Sequence, residues 1–301
     1  MKANPAHQEG MPVVRNGGVS VAYEATSPSD VETVAFVEGW SYGRWMWRWQ
    51  REALPEYQRI VVDNRGTGDS EAPGLGMPGL LGKLPEAIRQ PLIYLLHSEK
   101  YTIPQMAADL EVVLADAGVE RAHVVGASMG GMIALQHALT YDRTASLTLM
   151  CTTAGGDMEN LIPEDTMAHL ESVPEGLSER ERIKYLMEPA TTEAWREDNA
   201  DLLDRIVDWR LRQDASVPAR EAQAVGQIGW DVRDRLGEVD VPTLVMHGTG
   251  DRVVPFERGQ VLAEGLDCEF EVYEDAPHLL FIERAEEIND RLRAFLSEVD
   301  A

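Results

Sequence analysis

The hexapeptide Gly126-Ala127-Ser128-Met129-Gly130-Gly131 holds a serine between glycines at minus two and plus two, directly after an apolar run at 122–127 and before a segment with helical patterning. In a strand-turn-helix setting such a serine occupies a tight turn that lifts its hydroxyl above the sheet. Glycine is needed on either side because a Cβ collides across the turn. The hydroxyl is then placed to act as a nucleophile. The amide of Met129, at the head of the following helix, can donate to an oxyanion with the helix dipole behind it.

A serine nucleophile needs a base and a group to orient that base, in the chain order serine, acid, histidine. His278 is the only histidine after residue 251, and it lies in EDAPHLLFIE between a strand-like run and the last helical segment. Asp251 in HGTGDRVVP follows a strand through a glycine-rich turn, which aims its carboxylate at the same edge. Asp157, after the preceding strand, is the alternative acid. His123 and His137 flank the nucleophile segment and read as structural, and His247 reads as a turn residue beneath the acid loop.

These residues require a sheet. Short β-branched runs at 31–37, 59–63, 122–127, 145–151, 242–247 and 268–273 alternate with helix-like segments at 44–54, 103–117, 129–139, 256–264 and 283–296. Continuous apolar runs imply strands covered on both faces, so the fold class is α/β, a mostly parallel sheet with helices on both sides. The alternating stretch 18–25 fits an antiparallel edge hairpin. From 157 to 237 the pattern is helical, charged and without a strand, which reads as a helical cap inserted into one domain whose core is 1–156 and 238–301. The apolar segment 71–101, punctuated by Gly and Pro, is too long for a bare loop and predicts short helices, with Pro91 ending or kinking one. It packs on the cap as a pocket wall or serves as a subunit contact. Trp40, Trp45, Trp47 and Trp49 crowd ten residues and read chiefly as packing or arginine-stacking groups.

Charge is the compositional outlier: 27 Lys and Arg against 52 Asp and Glu give −25, and only four of the basic residues are lysines. Nucleic acid and acidic membranes are repelled by such a surface. Many carboxylates with almost no lysine suit concentrated salt, where the Debye length falls to about 3 Å at 1 M. An ordinary acidic cytosolic protein is the alternative. Cys151 and Cys268, far apart and without clustered histidines, suggest two buried thiols and neither a disulfide framework nor a zinc site. No signal-like or membrane-spanning run is apparent, so the cytoplasm is the expected location, and a homo-oligomer is compatible with the chain.

Together with Asp63-Asn64-Arg65-Gly66-Thr67-Gly68-Asp69-Ser70, a D-x-R-G-x-G-x-S stretch, these features resemble the α/β-hydrolase-fold superfamily over residues 18–150 and 238–298. The resemblance is to its esterase, lactonase and cofactor-free haloperoxidase-like members. It implies that the stretch is architectural, with Arg65 pairing carboxylates. The family's H-G loop corresponds to Glu38-Gly39-Trp40, so the resemblance makes the Trp40 amide the second oxyanion donor beside Met129, with an acid where the family has histidine; the functional reading of the Trp40 ring, beside packing, is that it lines an apolar substrate pocket. The implied activity is hydrolysis of a small carboxylic ester or lactone through an acyl-enzyme, with no metal or organic cofactor. Perhydrolysis or C–C bond hydrolysis by the same constellation, or a non-catalytic ligand-binding receptor, are the other readings. Epoxide hydrolases and haloalkane dehalogenases carry aspartate at the nucleophile position, so Ser128 argues against both.

Overall fold

Strands that are apolar along their whole length are stable only between two covering layers. The computed structural model, which describes residues 11–26, 31–74, 84, 85, 92, 99–156 and 162–299, places them there. The strands are β1 (Val13–Asn16), β2 (Val19–Ala25), β3 (Thr33–Val37), β4 (Gln58–Val62), β5 (Ala122–Ala127), β6 (Thr144–Met150), β7 (Thr243–Gly248) and β8 (Glu269–Tyr273). They form one sheet in the order β1-β2-β4-β3-β5-β6-β7-β8. The stretch 18–25, expected as an edge hairpin, supplies only its second strand, β2; β1 precedes it, and the two are antiparallel across a turn at Gly17 and Gly18, whose φ of 57° and 86° glycine adopts without a Cβ penalty. β2 is also antiparallel to β4, and the other neighbours are parallel.

Every residue of β3, β5, β6 and β7 is buried, and the twofold period of a strand divides them between two cores. Ala35 and Val37 face one side, with α2 (Ile103–Asp116) and α3 (Met129–Ala138). Val34 and Phe36 face the other, with α1 (Arg48–Ala53) behind a 3-10 turn at Arg44–Trp47, and α11 (Ala285–Glu298). The aromatic crowd belongs largely to this second core. Trp47 packs 5.3 Å from Phe36 and 5.2 Å from Phe281, and the Arg48 guanidinium lies 4.7 Å from the Trp209 ring centroid. The single helix expected over 44–54 is therefore divided: Trp45, Met46 and Trp47 are consecutive and all buried, which one face of an α-helix cannot provide. The helix expected over 283–296 is α11, and a short helix, α10 (Leu280–Glu283), precedes it; the two part at Arg284, whose guanidinium reaches back to the Glu274 carbonyl.

Between β6 and β7 the described residues contain no strand beyond a single bridge of Gly155 to Asp231, and the helices are α4 (Glu164–Glu171), α5 (Glu179–Met187), α6 (Glu193–Asp198), α7 (Ala200–Gln213) and α8 (Val217–Gln227), with 3-10 turns at Glu188–Ala190 and Arg233–Glu238. α5 opens with a capping box of Ser178 and Glu181. These helices grip the loops after β3 and β4. The Ser41 amide donates to Gln223 Oε1 at 2.9 Å, the Ala215 amide to the Ser41 carbonyl at 2.9 Å and the Gly68 amide to the Gln213 carbonyl at 2.8 Å. α9 (Phe256–Leu266) completes the layer beside β7 and β8. Asp157 and most of segment 71–101, including Pro91, fall outside the described residues. No helix among the described residues is long and apolar enough to cross a membrane.

Candidate active site

β5 ends at Ala127, and the next residue, Ser128, turns the chain with φ 54° and ψ −126° before α3 begins. A side chain held at positive φ stores strain on the order of 1–3 kcal/mol, and the surroundings hold Ser128 there. Its amide donates to the Met150 carbonyl at 2.9 Å, and its carbonyl accepts from Thr152 Oγ1 at 2.6 Å. The turn also sets the loop after β3. A Cβ on Gly130 would press into the Val37 carbonyl and come within 2.6 Å of that of Glu38, while a Cβ on Gly39 would stand 3.6 Å from Ser128 Cβ. The bare Gly130 backbone thus lets the 38–40 loop lie against Ser128.

That close approach has a measurable consequence. Gly130→Ala should cost about 1–3 kcal/mol of stability by overpacking, and kcat/KM should fall about 10- to 100-fold through displacement of the loop. Urea melts and steady-state kinetics of the variant check both. Unchanged kinetics would show that the loop position does not govern turnover.

Asp251 and His278 are brought together by lacing between the loops that follow β7 and β8. The Thr249 amide donates to the Tyr273 carbonyl at 3.0 Å, and the Gly250 amide to the Ala276 carbonyl at 3.1 Å. His278 Nδ1 lies 2.8 Å from Asp251 Oδ2, while Asp251 Oδ1 accepts the Val253 and Val254 amides at 2.8 and 2.9 Å. Burial is the largest influence on Asp251 and opposes its charge. The facing imidazoles of His278 and His247, with their hydrogen bonds, outweigh it and hold the carboxyl well below the usual range. With Nδ1 donating to Asp251, Nε2 of His278 is left to accept a proton.

Two neighbours of this pair were not legible in the sequence. His247 is a fully buried residue of β7, not a turn residue, and its Nε2 stands 3.0 Å from the Val254 carbonyl and 3.3 Å from Asp251 Oδ2. The only hint was the four-residue spacing in HGTGD. Cys151, at φ 48°, follows β6, and its sulfur lies with the nearest Asp251 and His278 ligand atoms inside 4.8 Å. Ser128 hangs from the Met150 carbonyl and Cys151 is the next residue after Met150, so the serine and the Asp-His pair lie at the same end of the sheet. The trio of Cys151, Asp251 and His278 is the group of potential metal ligands among the described residues. Burial pushes the thiol well up, and the carboxylate oxygens are already occupied by amides and imidazole. The donor set fits a hydrogen-bonded cluster better than a cation. Cys268 is half-buried, not fully buried as expected, because it precedes the edge strand β8.

The remaining residues fall as follows. Half-buried Trp40 donates its indole N–H to the Arg220 carbonyl of α8 at 2.8 Å, so its ring is tied to the inserted helices. Arg65 is buried against Asp109, with Nη2 2.8 Å from Oδ1, and Ser70 Oγ bridges the Ala22 amide and the Asp63 carbonyl. Both are architectural roles. His123 pairs with Ser146 and His137 with Thr144, each at 2.8 Å inside the core. Glu38 is buried, with Oε2 accepting from the Asn64 amide and Thr67 Oγ1.

The sequence model of the alpha/beta hydrolase family matches residues 34–291, which takes in every strand from β3 onward and the whole of this cluster. The chain belongs to that family. Among its relatives is a putative carbamate hydrolase, RutD, of Variovorax paradoxus, 30% identical over 93% of this chain and 97% of its own length. Another is a 2-hydroxy-6-oxo-6-phenylhexa-2,4-dienoate hydrolase of Comamonas testosteroni, 30% identical over 62% of this chain and 66% of its own. The solved structure of Est816, described as an N-acyl homoserine lactone degrading enzyme, superposes with a TM-score of 0.74 at 25% identity, covering 94% of this chain and all of that one. This alpha/beta hydrolase is therefore an enzyme, with named hydrolases of several substrate types around it.

Proposed function

We propose that the protein is a serine hydrolase that cleaves a carboxylic ester or lactone through an acyl-enzyme. Ser128 Oγ attacks the acyl carbon while His278 Nε2 takes its proton, and Asp251 holds the ring orientation and stabilises the imidazolium. The Met129 and Trp40 amides receive the oxyanion, and the imidazolium returns the proton to the departing alkoxide. Water deprotonated by His278 then releases the carboxylic acid. The observation that carries this reading is the 2.8 Å Nδ1 to Oδ2 pair at the same end of the sheet as a serine held at positive φ. Segment 157–237 acts as the cap over the site, through its hold on the Trp40 loop. The acidic, lysine-poor composition is an adaptation to salt.

A panel of p-nitrophenyl esters, aliphatic lactones and a vinylogous diketone, assayed from dilute buffer to molar KCl, tests the proposal. We expect burst kinetics on an ester or turnover of a lactone, with activity and melting temperature both rising with salt as repulsion among the carboxylates is screened. Turnover of the diketone alone would reassign the enzyme to C–C hydrolysis. Tight binding without turnover would favour a receptor, and a melting temperature indifferent to salt would remove the adaptation argument.

A further inference from the structure

Glu38 is the first residue after β3, and the next two residues form the loop against Ser128. Its side chain turns inward and is completely buried. Oε2 accepts the Asn64 amide at 3.3 Å and Thr67 Oγ1 at 3.2 Å, the Glu38 carbonyl accepts Asn64 Nδ2 at 2.9 Å, and Oε1 has no donor. Asp63, at the end of β4, is equally buried. Its Oδ2 takes the Arg44 guanidinium and the Asp69 amide, and its Oδ1 also has no donor. The two carboxyl groups are close neighbours: Glu38 Oε2 takes the amide of Asn64, the residue after Asp63, and the pair interacts as hydrogen-bonding partners. The nearby cation, Arg44, is divided between Asp63, Asp69 and Glu24.

Two adjacent buried carboxylates with one shared guanidinium cannot both keep their charge, and an orphan oxygen on each is costly. One proton between them removes both defects. Asp63 has the ionic partner, so the proton belongs to Glu38. We propose that Glu38 is a positioning residue, protonated in the working enzyme, whose Oε1–H donates to Asp63 Oδ1 and so clamps the 38–40 oxyanion loop onto the loop that follows β4. The clamp rests on the proposed function only in its effect on catalysis, not in its existence.

The groups facing Glu38 are Asp63, Asn64 and Thr67 from the β4 side and Arg44 from the 3-10 turn. Burial, then Asp63, raises the Glu38 carboxyl well above its usual range, against smaller opposing contributions from Asn64, Thr67 and Arg44. A raised carboxyl binds its proton on folding, so the stabilisation is complete below the unfolded pKa and is lost as pH rises through the folded one. Loss of the proton sets two carboxylates against each other under the loop. The Trp40 amide then moves, and kcat falls more than KM rises.

Three forms of the enzyme test this. Glu38→Ala removes the clamp and should lower kcat about tenfold or more. Glu38→Gln, which keeps a neutral donor for Asp63 and an acceptor for Thr67, should restore most of that loss and abolish the alkaline fall in kcat that the clamp predicts for the wild type. Infrared difference spectra across pH should show the carbonyl stretch of a buried protonated carboxylic acid in the wild type, absent from Glu38→Gln. This last readout needs neither activity nor a folded alanine variant, so it separates failure of the clamp from failure of the hydrolase reading. Absence of the band at neutral pH, or the same alkaline fall in Glu38→Gln, overturns the proposal.

Discussion

Ser128→Ala should abolish labelling by a fluorophosphonate and lower kcat by about 10⁴- to 10⁶-fold, leaving only the residual contribution of substrate binding and the oxyanion donors. The attacking oxygen is removed while the turn is retained: alanine occupies the same φ of 54°, and the backbone bonds to Met150 and Thr152 do not involve the hydroxyl. Its melting curve should therefore follow that of the wild type. Ser128→Gly, equally inactive, should be more stable than Ser128→Ala by about 1 kcal/mol, because glycine carries no penalty at positive φ. Retained labelling in Ser128→Ala would move the nucleophile elsewhere. Equal stability of the two variants would mean that the turn is unstrained.

The second large effect concerns the acid. Asp251→Asn should lower kcat by about 10³- to 10⁴-fold, because an amide facing Nδ1 favours the tautomer that cannot take the serine proton from Nε2 and withdraws the charge that stabilises the imidazolium. Stability should fall as well, since Asp251 is buried between two imidazoles and two backbone amides that all favour its ionised form. The sign with pH is definite. A carboxyl held below its unfolded value contributes stability that is present above about pH 4 and is lost as pH falls through the lower, folded value. The stability gap between wild type and Asp251→Asn should therefore narrow in acid, as chemical denaturation at stepped pH would show. A mild kinetic effect, paired with a severe one in Asp157→Asn, would transfer the acid's role to Asp157.

Much of this site was readable because its parts are local. A serine between glycines, a strand before it and a helix after it are contiguous in sequence, and the period of each segment states whether it is buried on one face or two. Asp251 and His278 could be chosen because the residues that close strands of a parallel sheet share one edge, so chain order already restricted the candidates. The strand runs were correct to within two residues at either end, as β3 at 33–37 against an expected 31–37 illustrates. Boundary errors of that size come from end residues whose pairing depends on the neighbouring strand.

The sequence by itself determined the alternation of strands and helices, the run of helices between β6 and β7, the turn that holds Ser128, and the acid and base proposed to serve it, because each is encoded in periodicity or in short-range steric need. Only the tertiary structure decided the rest. His247 became a second imidazole on Asp251, Cys151 became its neighbour, Trp40 was tied to α8, and Glu38 turned inward to meet Asp63. None of these pairs lies within a single element. His247 and Asp251 stand only four residues apart, but the pair needs the chain to fold back after β7; the others arise where β3 lies beside β4, where β6 lies beside β7, or where an inserted helix crosses a loop, and sheet adjacency is set by the packing of the whole core, not by any local run of residues.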